Sequence, residues 1–138
     1  MPSSRFAAEV ERLRAVLHGV THAEAVAALG EQLESFSVAA LAADDSSQYV
    51  AANPRAEELT GYSAAELTAL SVIDLTPVPN TVDGKQLWDE FISTGEQQGH
   101  YEVRRKDGAF VRVHYWAYAN VATGIHLSLL MPEVTVAG

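Results

Sequence analysis

NPRAEELTGYSAAEL, Asn53 to Leu67, is the stretch on which the reading of this chain turns. Asn53 can cap a helix that starts with Pro54, where a missing backbone donor costs nothing. Leu59 gives that helix an apolar contact, and Gly61 can take the left-handed conformation that ends it. Ser63 and Glu66 then form a capping box for a second helix over 64–70. Further on, RRKDG, Arg104 to Gly108, reads as the tight turn between two long strands.

On both sides of the second turn the chain alternates with period two. Tyr101 and Val103 share a face before it. After it, Val111, Val113, Tyr115 and Ala117 share one face, and Phe110, Arg112, His114, Trp116 and Tyr118 share the other. A turn over 120–124 leads into a last strand, 125–131. Upstream of Asn53, the strand-like runs 37–43 and 48–52 flank the polar Asp44-Asp45-Ser46-Ser47, which predicts a hairpin.

Between the two decisive stretches, Pro77 and Pro79 interrupt the apolar run Val72, Ile73, Leu75, Val78 and exclude regular helix beyond a turn. A helix over 82–94 follows, with Leu87, Phe91 and Ile92 on one side, Trp88 beside them, and Gly95 as its stop. This order of elements argues an α+β fold built on an antiparallel sheet.

At the N-terminus, Phe6, Val10, Leu13, Leu17 and Val20 keep helical spacing, so a helix is predicted over 4–18, ended by Gly19. Thr21 and Glu24 form a capping box for the next helix, whose stripe is Val26, Leu29, Leu33 and Phe36. The expected organisation is a helical cap or dimerisation segment over 1–36 and a sheet domain over 37–138.

With 138 residues, 48% of them hydrophobic, the chain suffices for one core. A net charge of −9 repels phosphate backbones and anionic lipid, which argues against nucleic-acid and membrane partners. No apolar run approaches the roughly 20 residues that span a bilayer, and MPSSRFAAEVERLR lacks a secretory apolar stretch, so a cytoplasmic protein is expected. The absence of cysteine removes disulfides, thiolate metal sites, cysteine nucleophiles and cysteinyl photoadducts.

From about Ser37 to Thr135 the chain resembles a PAS domain, a five-stranded antiparallel sensor fold with helices over one face. The resemblance is carried by the N-x-x-A-E-x-L-T-G-Y pattern at Asn53, Ala56, Glu57, Leu59, Thr60, Gly61 and Tyr62, and by Lys106, Asp107 and Gly108 in the strand turn. It implies a sensory or protein-interaction module in signal transduction that binds ligands and partners and is not an enzyme. PAS domains often end in Asp-Ile-Thr, for which Glu133-Val134-Thr135 is the nearest match here. No effector module follows it, so output is expected through a signalling protein partner, unless the chain is part of something longer.

The resemblance also implies a small-molecule pocket between sheet and helices, lined by Leu87, Phe91, Val103, Val113, Tyr115 and Leu127, against the alternative that these side chains fill the space themselves. No cofactor is identified. A haem ligand would come from the helix over 82–94, which has no histidine; the flavin photosensor segment G-x-N-C-R-F-L-Q is absent, although noncovalent flavin stays open. His100, Glu102 and Arg104 share a strand face, as catalytic or merely cross-strand partners. His114 and His126 also fall on strands, and no metal-ligand spacing, nucleophile motif or phosphate loop occurs. The aromatic stripe on the face of Phe110, His114, Trp116 and Tyr118 needs a cover. Either the N-terminal helices of the same chain supply it, or a homodimer does, with Phe6, Val10, Leu13 and Leu17 joining the interface.

Overall fold

The two N-terminal stripes become two helices: α1, Ala7–Leu17, and α2, His22–Leu33. Thr21 Oγ1 accepts the Glu24 backbone N–H at 3.1 Å, and Glu24 Oε1 accepts that of Thr21 at 3.0 Å, closing the predicted capping box. The structure, a computed structural model, describes residues 6–75 and 81–133, the side chains at 73, 81–85, 87 and 101 excepted. The predicted helix start at Ser4 lies outside these described residues.

Then follow β1 (Ala39–Asp44), β2 (Tyr49–Ala52), α3 (Pro54–Thr60), α4 (Ala64–Leu67), α5 (Val72–Leu75), α6 (Thr81–Thr94), β3 (Glu96–Arg104), β4 (Phe110–Ala122) and β5 (Ile125–Pro132). The strands form one antiparallel sheet in the order β2-β1-β5-β4-β3, the expected α+β architecture. β4 runs further than the period-two pattern indicated. Asn120 takes φ 54° at a register shift between Tyr118 and Ala122, and this bulge lets the strand continue into the expected turn as far as Ala122.

The two decisive stretches dock on each other. Asn53 caps α3 by accepting the Ala56 N–H at 2.9 Å, and Gly61, at φ 80°, ends the helix. The backbone N–H of Lys106 in the β3–β4 turn donates to Thr60 O at 2.9 Å, and Lys106 Nζ reaches Glu66 Oε2 at 2.6 Å. A Cβ on Gly61 would sit 3.5 Å from Lys106 Cβ, so glycine serves both the left-handed turn and the close approach.

Asn53 is 1% exposed and ties more than its own helix. Its Oδ1 also accepts Ala40 N–H at 2.9 Å, and its Nδ2 donates to Leu33 O at 3.0 Å and Val38 O at 2.9 Å. One side chain therefore joins the end of α2, the segment after it, β1 and α3.

Helices pack on both sheet faces, each with its own cluster. On the outer face, Trp116, Tyr118, Ile125, Leu127 and Leu129 pack against α1 and α2 through Phe6, Val10, Leu13, Leu17, Leu29 and Leu33. On the inner face, Leu41, Val103, Val113 and Leu130 pack with Ala56 of α3, Leu67 of α4 and Leu75 of α5. Phe91 of α6 sits on Ala117 and Ala119, and Trp88 and Tyr115 bridge the two inner groups.

Candidate functional site

The inner face combines an apolar wall with a few polar groups. Val103 and Val113 are fully buried because both strands point those alternate residues toward α3, α4 and α5. Gly99 faces Tyr115 across the strands, and a Cβ there would lie 3.1 Å from Tyr115 Cε1, so glycine lets the phenol ring lie over β3. Burial pushes the Tyr115 hydroxyl above the usual phenol range, and it contacts Gln97 Oε1 at 3.5 Å.

At the other end of this face His126 is 2% exposed. Its Nδ1 accepts the Asn120 backbone N–H at 2.9 Å, which leaves Nε2 as the protonated nitrogen donating to Asp45 Oδ1 at 2.7 Å. Trp88 and Phe91 of α6 meet the imidazole edge to face, at 5.6 and 6.0 Å between ring centroids. Trp88 Nε1 donates to Asp45 O at 3.2 Å. The β1–β2 turn, α6, the β4 bulge and β5 thus meet at one imidazole.

Of the predicted pocket residues, Phe91, Val103, Val113 and Tyr115 lie together on this face. The Leu87 side chain lies outside the described residues. Leu127 requires a correction: it packs on the outer face with the N-terminal helices, and its strand neighbours His126, Ser128 and Leu130 point inward. With both faces buried, the apolar alternation of Ile125, Leu127 and Leu129 could not say which side it faced. The same alternation, assigned to the outer side, would have found His126.

The residues expected at a dimer interface divide. Phe6, Val10, Leu13, Leu17, Trp116 and Tyr118 are buried within one chain, where Phe6 meets Trp116 edge to face at 5.0 Å. Burial pushes the Tyr118 hydroxyl up to about 12, Glu96 adding to the effect. His114 stacks on Trp116 at 4.0 Å, and Phe110 is 50% exposed. The helices thus leave β3 and the first half of β4 open on the outer face, where Gln98, His100, Glu102, Arg104, Phe110 and Arg112 are exposed.

The candidate catalytic face lies on this open half. His100 Nδ1 pairs with Glu133, whose other oxygen takes Arg112 Nε at 2.9 Å, and the His100 ring lies 4.4 Å from that of His114. This is an exposed cross-strand ladder. Among the described residues no group of three or more His, Cys, Asp or Glu is arranged to hold a metal.

A family model described as the PAS fold matches residues 28–123. The chain belongs to the PAS family. Its PAS fold is shared with the PAS domain of a Desulfitobacterium hafniense protein (14% identity, TM-score 0.66, 73% of this chain and 97% of that one). A domain of a sensory box sensor histidine kinase/response regulator from Geobacter sulfurreducens is also similar (19%, 0.60, 81% and 98%). The Rhodobacter sphaeroides LOV protein overlaps more of this chain, 92% against 68% of its own, at 17% identity and TM-score 0.62. No curated protein matches the sequence significantly. In this PAS domain Asn53, Thr60, Gly61 and Lys106 of the family pattern serve to fasten helices to the hairpin, and Ala56, Leu59 and Tyr62 pack on the inner face.

Proposed function

We propose that this PAS domain is a sensory signalling module that holds a small molecule between the inner face and α3 to α6, and reports it through homodimer or partner contacts. The observation that carries the reading is the inner face itself, an apolar wall with Tyr115 and the His126–Asp45 pair as polar handles. A ligand there has different affinity for different placements of α6, and so shifts the population of states presented outward. The outward surface is the open half of the outer face around Phe110 and His114. Phe6, Val10, Leu13 and Leu17 join a dimer only if α1 and α2 exchange between copies. No helix among the described residues is long and apolar enough to cross a membrane.

Native mass spectrometry of the purified protein tests the ligand and the dimer together. The expected spectrum shows a dimer carrying a retained small molecule that denaturation releases and that Val113→Trp, which fills the inner face, excludes. A bare monomer at micromolar concentration, unchanged after incubation with a metabolite extract, overturns the reading.

A further inference from the structure

Away from the inner face, a groove of about 550 Å³ opens at the end of the sheet where β1 begins and β5 ends. One wall is α3, which presents Arg55, Glu58 and Leu59 at helical spacing. The other is the β3–β4 hairpin with Arg105 and Val111, and the floor includes Met131 and Pro132. Its volume falls within the roughly 300–1,000 Å³ of small-molecule sites.

Two features set the chemistry of an occupant. Neither Arg55 nor Arg105 is paired with a carboxylate among the described residues. Arg105 Nε is buried and has no acceptor there, while its Nη2 makes only a 3.4 Å contact with Glu58 O. A buried charged donor without a partner is costly, and a planar guanidinium fork matches a carboxylate in a way no point charge does. Glu58 is the carboxylate on the wall, and it is exposed and free to turn to solvent. Leu59, Val111, Met131 and Pro132 give the groove an apolar part, and Ser37, Val38 and Ala39 complete its lining.

We infer that this groove binds a small carboxylate with an apolar tail, its carboxylate on Arg105 and Arg55 and its tail along Val111 and Met131. The two guanidinium groups oppose the −9 charge of the chain over the Debye length of about 8 Å, so binding is local and salt-sensitive. The site also touches residues 37–39, where the chain arrives from α2, and Pro132, where it leaves the sheet. An occupant therefore contacts both the segment after the helical cap and the outgoing strand.

The probe is octanoate, titrated into the full chain with methyl resonances followed by NMR, beside octanol and inorganic phosphate. Saturable shifts at Leu59, Val111 and Met131 are expected for octanoate, with affinity reduced about tenfold or more by Arg105→Gln and severalfold by raised salt. Octanol and phosphate are expected to bind at least about tenfold more weakly. Should Arg105→Gln fail to fold, Arg55→Gln on the exposed side of α3 decides, and it too must weaken octanoate. Shifts centred on Val113 instead, affinity unchanged in the arginine variants, or octanol or phosphate equal to octanoate would each overturn the assignment.

Discussion

The two faces of one sheet are buried by different means. Over β1, β5 and the second half of β4 the outer face is closed by α1 and α2, helices adjacent in sequence, through large apolar side chains that meet Trp116, Leu127 and Leu129. The inner face is closed by the three short helices α3, α4 and α5 and by the longer α6, and into it β5 directs His126 and Ser128 beside Leu130. An apolar face can only be filled or vacated. A face with polar groups set in apolar surroundings can also discriminate between ligands, because each buried donor or acceptor penalises the wrong one. On the proposed reading, the sheet has a structural side and a responsive side.

That division is broken most directly from the structural side. Leu29 is fully buried on α2, and Leu29→Ala is expected to cost about 3 kcal/mol, the lost burial plus the cavity left behind. Ser128→Ala on the inner face, half-buried, is expected to change stability by no more than about 0.5 kcal/mol. Urea denaturation of both variants checks the contrast, and equal losses would mean that the inner-face hydroxyl of Ser128 is as much a part of what holds the fold as the Leu29 side chain.

Asn53 is where the two sides are joined. Asn53→Ala removes the α3 cap and leaves the Ala40 N–H and the carbonyls of Leu33 and Val38 without their partner, with an expected loss of about 2 kcal/mol. Hydrogen exchange should then show faster opening at α2 and at α3 together. Opening at α3 alone would mean that the bonds to Leu33 and Val38 couple nothing.

How much of this was legible depended on whether a residue's role was local. Thr21 with Glu24, Ser63 with Glu66, Asn53 with Pro54, and Gly61 announce caps and stops because capping is settled within a few residues. Strand alternation in β4 was equally plain, since Trp116 and Val113 differ in the partner each needs. The face of β5 was not: Leu127 and Leu130 are equally apolar, and their sides depend on pairing with β1 and β4, distant in sequence. The role of His126 stayed hidden for the same reason, because Asp45 and Asn120 reach it only once those strands pair. The groove at Arg55 and Arg105 is a third case, formed by a helix and a hairpin that the sequence places far apart.

The smallest expected effect sharpens the contrast by pH. Tyr118, under the outer cap, has a hydroxyl raised from 10.0 to about 12, chiefly by burial. A raised acid contributes stability that is complete below pH 10 and is lost as pH climbs toward 12. Glu66, in the clasp of the inner helices on the hairpin, is held below 4.5, first by the hydrogen bond from Lys106 and then by the Ser63 backbone. A lowered carboxylate works in the opposite sense: its contribution is present above pH 4.5 and fades as pH falls through the folded value. Glu66 is exposed, so solvent screens the pair and the effect is slight. Urea midpoints should accordingly show Tyr118→Phe with a weaker alkaline decline and an unchanged acid one. Glu66→Gln should start slightly below the parent at pH 7 and converge with it below pH 4.5. An acid limb that Glu66→Gln leaves unaltered would place the acid-sensitive contact elsewhere than the helix–hairpin clasp.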